Sequence, residues 1–67
     1  MANHVYKKIQ MVGTSGQSFS DAVTKAVAKA AETEPNLRWF EVVEQRGQIV
    51  DGKIQEFQVT VNLGARL

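Results

Sequence analysis

Three residues in this chain are suited to holding a flat ligand with polar edges. Trp39, the only tryptophan, offers a broad planar face. It opens the run Trp39-Phe40-Glu41-Val42-Val43-Glu44-Gln45-Arg46-Gly47, which ends in an arginine and a glycine. Arg46 is a permanent cation whose planar fork answers a phosphate. Gln58, further along, carries an amide that both donates and accepts hydrogen bonds. Together they make a binding constellation rather than a catalytic one. Each also has a plainer reading. Trp39 could be a core or interface tryptophan, and Gln58 a solvent-facing strand residue. Arg46 could pair with Glu44 or Glu56 at the surface.

Other chemistry is thinly represented. The chain has serines but a single histidine, His4, and no cysteine, so no nucleophile–base pair stands out. Glu41 and Glu44 have opposite parity on a strand and make no paired-carboxylate site. His4 alone cannot build a zinc site, and thiolate sites are absent. Gly13-Thr14-Ser15-Gly16 precedes a helix, as a phosphate cradle would. It lacks the Gly-Lys-Ser/Thr ending of such a loop and reads better as a connector. Neither a metal nor an enzymatic activity is expected.

The elements that position the three residues are set by periodicity. His4 to Val12 alternates imperfectly and reads as a strand with Val5, Ile9 and Met11 inward. Lys7 and Lys8 blunt its edge. The Gly13–Gly16 stretch reads as a turn. Ser18-Phe19-Ser20-Asp21 has the form of a capping box, with Asp21 reaching back to the helix start. Phe19, Ala22, Val23, Ala26, Val27 and Ala30 then share one helical face, and Pro35 ends the helix at or before Glu34. Its small side chains suit close packing on a sheet. Leu37 to Ile49 reads as a second strand, with Phe40 and Val42 on one face and Trp39, Glu41, Val43 and Gln45 on the other. Asp51-Gly52 is a strong hairpin signal. Lys53 to Leu63 is the third strand, its Phe57, Val59, Val61 and Leu63 alternating with Glu56, Gln58, Thr60 and Asn62. The tail Gly64-Ala65-Arg66-Leu67 shows no pattern of its own.

The predicted fold class is α+β: a β-α-β-β subunit with a three-stranded antiparallel sheet packed on one helix. The helix returns the chain so that the first two strands run the same way, and the hairpin reverses the third. Placing the third strand in the middle makes every neighbour antiparallel. One sheet face is covered by the helix; the other carries Trp39, Glu41, Gln45, Glu56, Gln58 and Thr60.

Residues 1–67 read as a single domain, and one this short buries only about 60% of the surface its unfolded chain exposes. Disulfides and metals being excluded, self-association is the expected support. Two open edges and a single helix layer point the same way. The absence of cysteine fits a cytoplasmic location. No signal peptide and no membrane span is expected. A net charge of +1 argues against a protein that lives by binding nucleic-acid phosphates.

The simplest hairpin register sets Val50 opposite Lys53, Ile49 opposite Ile54 and Gln45 opposite Gln58. Trp39 then lies about 20 Å from Gln58 along the strand, at about 3.3 Å per residue. One small ligand cannot touch both within a subunit, and a bulge would not close the gap. A site using both lies between subunits. Arg46 shares parity with Phe40 and Val42 and should point inward unless a bulge turns it out.

The segments Val12-Gly13-Thr14-Ser15, Trp39-Phe40-Glu41-Val42, Arg46-Gly47, Phe57-Gln58-Val59 and Gly64-Ala65-Arg66-Leu67 give the chain its resemblance to the dodecins, across almost its whole length. The resemblance implies a β-α-β-β subunit assembled into a hollow homododecamer of cubic symmetry. It implies flavin held between subunits, with pairs of isoalloxazine rings stacked between symmetry-related tryptophans. Trp39 matches the stacking position and Gln58 the glutamine that bonds the ring edge. Arg46 matches an arginine that contacts flavin in bacterial members, so FMN is expected, with riboflavin, FAD and coenzyme A as further possible ligands. Ala65 departs from the pattern, since many bacterial members carry an aromatic there.

An electron-rich indole against an excited flavin quenches it, so the expected role is flavin storage, buffering and photoprotection. Two other classes compete. A small flavin-dependent reductase subunit would need acid–base machinery that the sequence lacks. A single-strand nucleic-acid module could use Trp39 as a stacking platform, but the weak charge and lone aromatic disfavour it.

Overall fold

Alternation and turn chemistry produce four elements in the computed structural model, which describes residues 3–67. They are β1 (Tyr6–Ser15), α1 (Phe19–Ala31), β2 (Leu37–Val50) and β3 (Lys53–Arg66). The sheet order is β1-β3-β2 with both pairings antiparallel, as expected from the sequence. Asp51 and Gly52 both adopt positive φ, 53° and 74°. That is the two-residue turn whose twist matches the flanking strands.

Three boundaries differ from the sequence reading. β1 begins at Tyr6 and runs on through Gly13, Thr14 and Ser15, so the connector is only Gly16–Ser18. Gly13 reads as turn chemistry, yet it serves close packing. A Cβ there would overlap the Ala22 carbonyl oxygen and stand 3.0 Å from the Ala26 methyl. At the other end, Gly64, Ala65 and Arg66 belong to β3. The Arg66 amide donates to the Asn36 carbonyl at 2.9 Å, and the Leu67 amide to that of Val5 at 2.8 Å. The tail is zipped into the sheet. The helix stops at Ala31, in keeping with an end at or before Glu34.

The capping box forms only in part. The Asp21 amide donates to the Ser18 hydroxyl at 3.0 Å, as expected. The Asp21 carboxylate does not reach back to Ser18. It accepts instead from the buried Ser15 hydroxyl at 2.6 Å. Ser15 takes over the helix start, accepting from the Gln17 and Ser18 amides.

The core is thin. Ala22, Ala26 and Ala30 bury against Val59, Val61 and Leu63 of β3, with Ile9, Met11, Phe19, Val23, Val27 and Leu37 packed at its margins. Phe19 meets Phe57 edge-on at 5.0 Å between ring centroids. The alanine stripe lets α1 lie close over β1 and β3. It does not extend over β2, where Phe40, Val42 and Ile49 on the same side remain exposed. The helix thus covers two strands of the three. An open groove of about 650 Å³ runs along this uncovered flank, lined by Ser20, Val23, Thr24, Val27, Ala28 and Phe40. The molecule is elongated, 56 × 20 × 13 Å, because the β2–β3 hairpin outruns β1.

Candidate functional site

The face of the sheet turned away from α1 carries the residues singled out by type. Which residues reach it is decided by bulges. Pairing slips between Leu37 and Trp39, between Val42 and Glu44, and between Gln48 and Ile49. Arg38 and Val43 are each an extra residue in β2, and Gln55 is one in β3. Each bulge reverses the parity of the residues beyond it.

The consequences are specific. Beyond Arg38, Trp39 pairs with Gly64 on the open face, while Leu37 pairs with Ala65 on the helix face. Beyond Val43, Arg46 pairs directly with Gln58, and Gln45 with Val59. Counted from the hairpin turn, the Gln55 bulge displaces the expected Gln45–Gln58 pairing by one residue. Gln45 leaves the open face and Arg46 enters it, against the simple parity that sends Arg46 inward. Val43 reads as an ordinary apolar strand residue, so alternation alone does not disclose the bulge.

Two stations result. At one, Arg46 stands across from Gln58. Gln58 Nε2 donates to Glu56 Oε1 at 3.0 Å, which leaves its carbonyl oxygen open to a ligand. Arg46 makes a loose pair with Glu44 at 3.8 Å. So distant and exposed a pair contributes little and leaves the guanidinium available. At the other, the Trp39 indole lies over Gly64 and meets Tyr6 at 6.2 Å between centroids, tilted by 50°. It remains 39% exposed. Six residues of β3 separate Gly64 from Gln58, about 20 Å at strand spacing. The structure brings Arg46 and Gln58 together and keeps Trp39 apart from both.

Between the stations the open face is tied by a polar ladder. Lys8 pairs with Glu41 at 2.9 Å. Asn62 Nδ2 donates to the same Glu41 carboxylate at 3.0 Å, and Gln10 Nε2 donates to Asn62 Oδ1 at 3.2 Å. The Asn62 hydrogen bond, with Lys8 second, holds the Glu41 carboxyl below its ordinary range. The ladder makes this stretch self-satisfied and points to the two ends as the ligand surfaces. Residue type alone does not mark out Gly64 or Tyr6. A glycine interrupting an alternating strand is the signal that finds the first of them, because it marks close approach. Among the described residues no group of three or more His, Cys, Asp or Glu is placed to hold a metal ion. No helix among them is long and apolar enough to cross a membrane.

The chain and its fold are matched by known proteins. A family model described as Dodecin matches residues 5–67. The chain belongs to the dodecin family. A dodecin from Thermus thermophilus is 44% identical over 63 residues, covering 94% of this chain and 91% of its own. Among solved structures, the dodecin from Streptomyces coelicolor is 46% identical with a TM-score of 0.94, covering all of this chain and 96% of that one. The dodecin from Streptomyces davaonensis is 45% identical with a TM-score of 0.93, covering 98% and 97%. The β-α-β-β subunit with its central third strand is thus the dodecin subunit.

Proposed function

We propose that the chain binds, stores and buffers flavin, FMN by preference, at sites shared between subunits of a hollow homododecamer. Membership of the dodecin family supports a small flavin-binding protein. The observation that carries the finer reading is the division of one open face into two stations. Trp39 stands at one end and the Arg46–Gln58 pair at the other, too far apart for a single ligand. One subunit supplies a stacking plane and a neighbour supplies the polar contacts.

The residues fit the cofactor. The bare face of the Trp39 indole suits an isoalloxazine ring, and aromatic stacking adds about 0.5–1.5 kcal/mol beyond area burial. The Gln58 amide matches the donor–acceptor edge of that ring. Arg46 answers a phosphate, which favours FMN over riboflavin; FAD and coenzyme A remain compatible ligands. The Trp39 indole would hold an isoalloxazine ring within reach of electron transfer, which would quench its excited state. The three residues offer a stacking plane, an amide edge and a cation but no nucleophile–base pair, so the site is read as a store and light shield rather than an enzyme. A cytoplasmic location is in keeping with the absence of cysteine.

A fluorescence titration with FMN and with riboflavin, on protein whose assembly mass is known from light scattering, tests the proposal. Saturable quenching is expected, tighter for FMN, and Trp39→Ala should lose it. Equal FMN affinity in Trp39→Ala, or binding by a monomer, would overturn the shared stacking site. NADH turnover with bound FMN would favour the reductase reading instead, and a salt-dependent shift with an oligonucleotide the nucleic-acid one.

A further inference from the structure

Trp39 leans much further across the sheet than its own strand requires. β1 and β2 are separated by β3, so at about 4.8 Å per strand they lie roughly 10 Å apart. Yet the rings of Tyr6 on β1 and Trp39 on β2 have centroids only 6.2 Å apart. The indole reaches Tyr6 by lying down over the intervening strand. The residue beneath it is Gly64, which pairs with Trp39 on one side and Lys8 on the other. A Cβ on Gly64 would overlap the indole atoms Cε2, Cζ2 and Cδ2. Its neighbours on the same face of β3, Asn62 and Arg66, both carry long side chains. Gly64 is thus the gap in the β3 row into which the ring settles.

We propose that Gly64 is the positioning residue of the Trp39 station: its bare backbone sets the height of the indole, with Tyr6 as a lateral stop, and so fixes the plane on which the flavin ring stacks. The proposal deepens the flavin reading and rests on it for that last consequence. A methyl group at this position lifts the ring by about an ångström or more, since carbon atoms pack at about 3.5–4.0 Å. A stacked ligand whose edge is held by Gln58 and Arg46 of another subunit cannot follow that movement. The backbone of Gly64 is not in the left-handed region, so the substitution acts through space and not through conformation.

The test compares Gly64→Ala with Gly16→Ala, a glycine beside which a Cβ meets nothing within 4 Å. Near-ultraviolet circular dichroism and tryptophan emission of the FMN-free protein read the single indole directly. Gly64→Ala should change both and weaken FMN by about tenfold or more, while Gly16→Ala changes neither. Tyr6→Leu should also change the dichroism, by removing the second ring. Should Gly64→Ala fail to fold, Trp39→Ala with Gly64→Ala should restore folding, because the clash is gone. An unchanged indole signature with parental FMN affinity would overturn the proposal, as would a double variant that still fails to fold. If the parent itself does not quench FMN, the flavin reading fails alone, and the indole spectra still decide the role of Gly64.

Discussion

The Ser15 hydroxyl joins the end of β1 to the start of α1 through three partners. It accepts from the Gln17 amide at 2.9 Å and the Ser18 amide at 3.4 Å, and donates to Asp21 at 2.6 Å. That hydrogen bond, with Lys25 second, holds the Asp21 carboxyl below its ordinary range. A carboxyl depressed in the folded state stabilises above its unfolded pKa, and that contribution is lost as pH falls through the depressed value. Ser15→Ala should therefore destabilise the protein by about 1–2 kcal/mol at neutral pH, because two amides near the helix start lose their acceptor. Its melting temperature should also fall less steeply than the parent's on acidification below about pH 4. Melts at fixed protein concentration across that range measure both effects. Ser15 is hard to find from sequence because Gly-Thr-Ser-Gly is common turn chemistry, and nothing local says that β1 continues through it. Trp39 is easy to find, being the only indole. Gly64 lies hidden because the tail after Leu63 shows no alternation, so nothing in the sequence says that β3 continues through it.

Strand order and direction are legible in the sequence, because a helix return and an Asp-Gly hairpin leave few ways to make every pairing antiparallel. The simple register holds at the hairpin turn and again from Val42 to Trp39, and fails by one residue between, from Gln48 to Glu44. Val50 and Ile49 pair as expected, and Gln55 then breaks the count. Val43 restores the count, and between the two bulges Arg46 comes onto the open face. The bulged residues have ordinary strand side chains, so their placement is a tertiary outcome of how β2 bends beside β3. The helix–sheet contact is set by small residues on both sides, Gly13 against Ala22 and Ala26. Gly13→Ala pushes a methyl into the α1 backbone and should cost about 1–3 kcal/mol, as overpacking does. The loss should appear as a lower melting temperature with the indole signature of Trp39 unchanged, since Trp39 sits on the opposite face. That separates a helix-seating glycine from the ring-seating one at position 64.

At the scale of the whole molecule, the exposed flank beside β2 is the feature that a lone chain leaves unresolved. Phe40 is 53% exposed beside Val23 and Val27. In the proposed assembly this flank would offer neighbouring subunits apolar area to bury. Phe40→Asp should leave the lone subunit's own core contacts in place and shift the mass seen by light scattering to smaller species, with FMN quenching lost in parallel. A need for self-association is legible from length and missing cysteine; the location of the uncovered flank is not, because it depends on α1 sitting over β1 and β3 only. The overhang of the hairpin carries a kinetic consequence. β2 and β3 have 14 residues each against 10 in β1, so the far end of the arm has no third strand from its own chain. Local contacts can close the hairpin on a single chain within microseconds. Burial of its apolar flank must wait for an encounter with another chain, so the last phase of folding should slow in proportion as the protein is diluted.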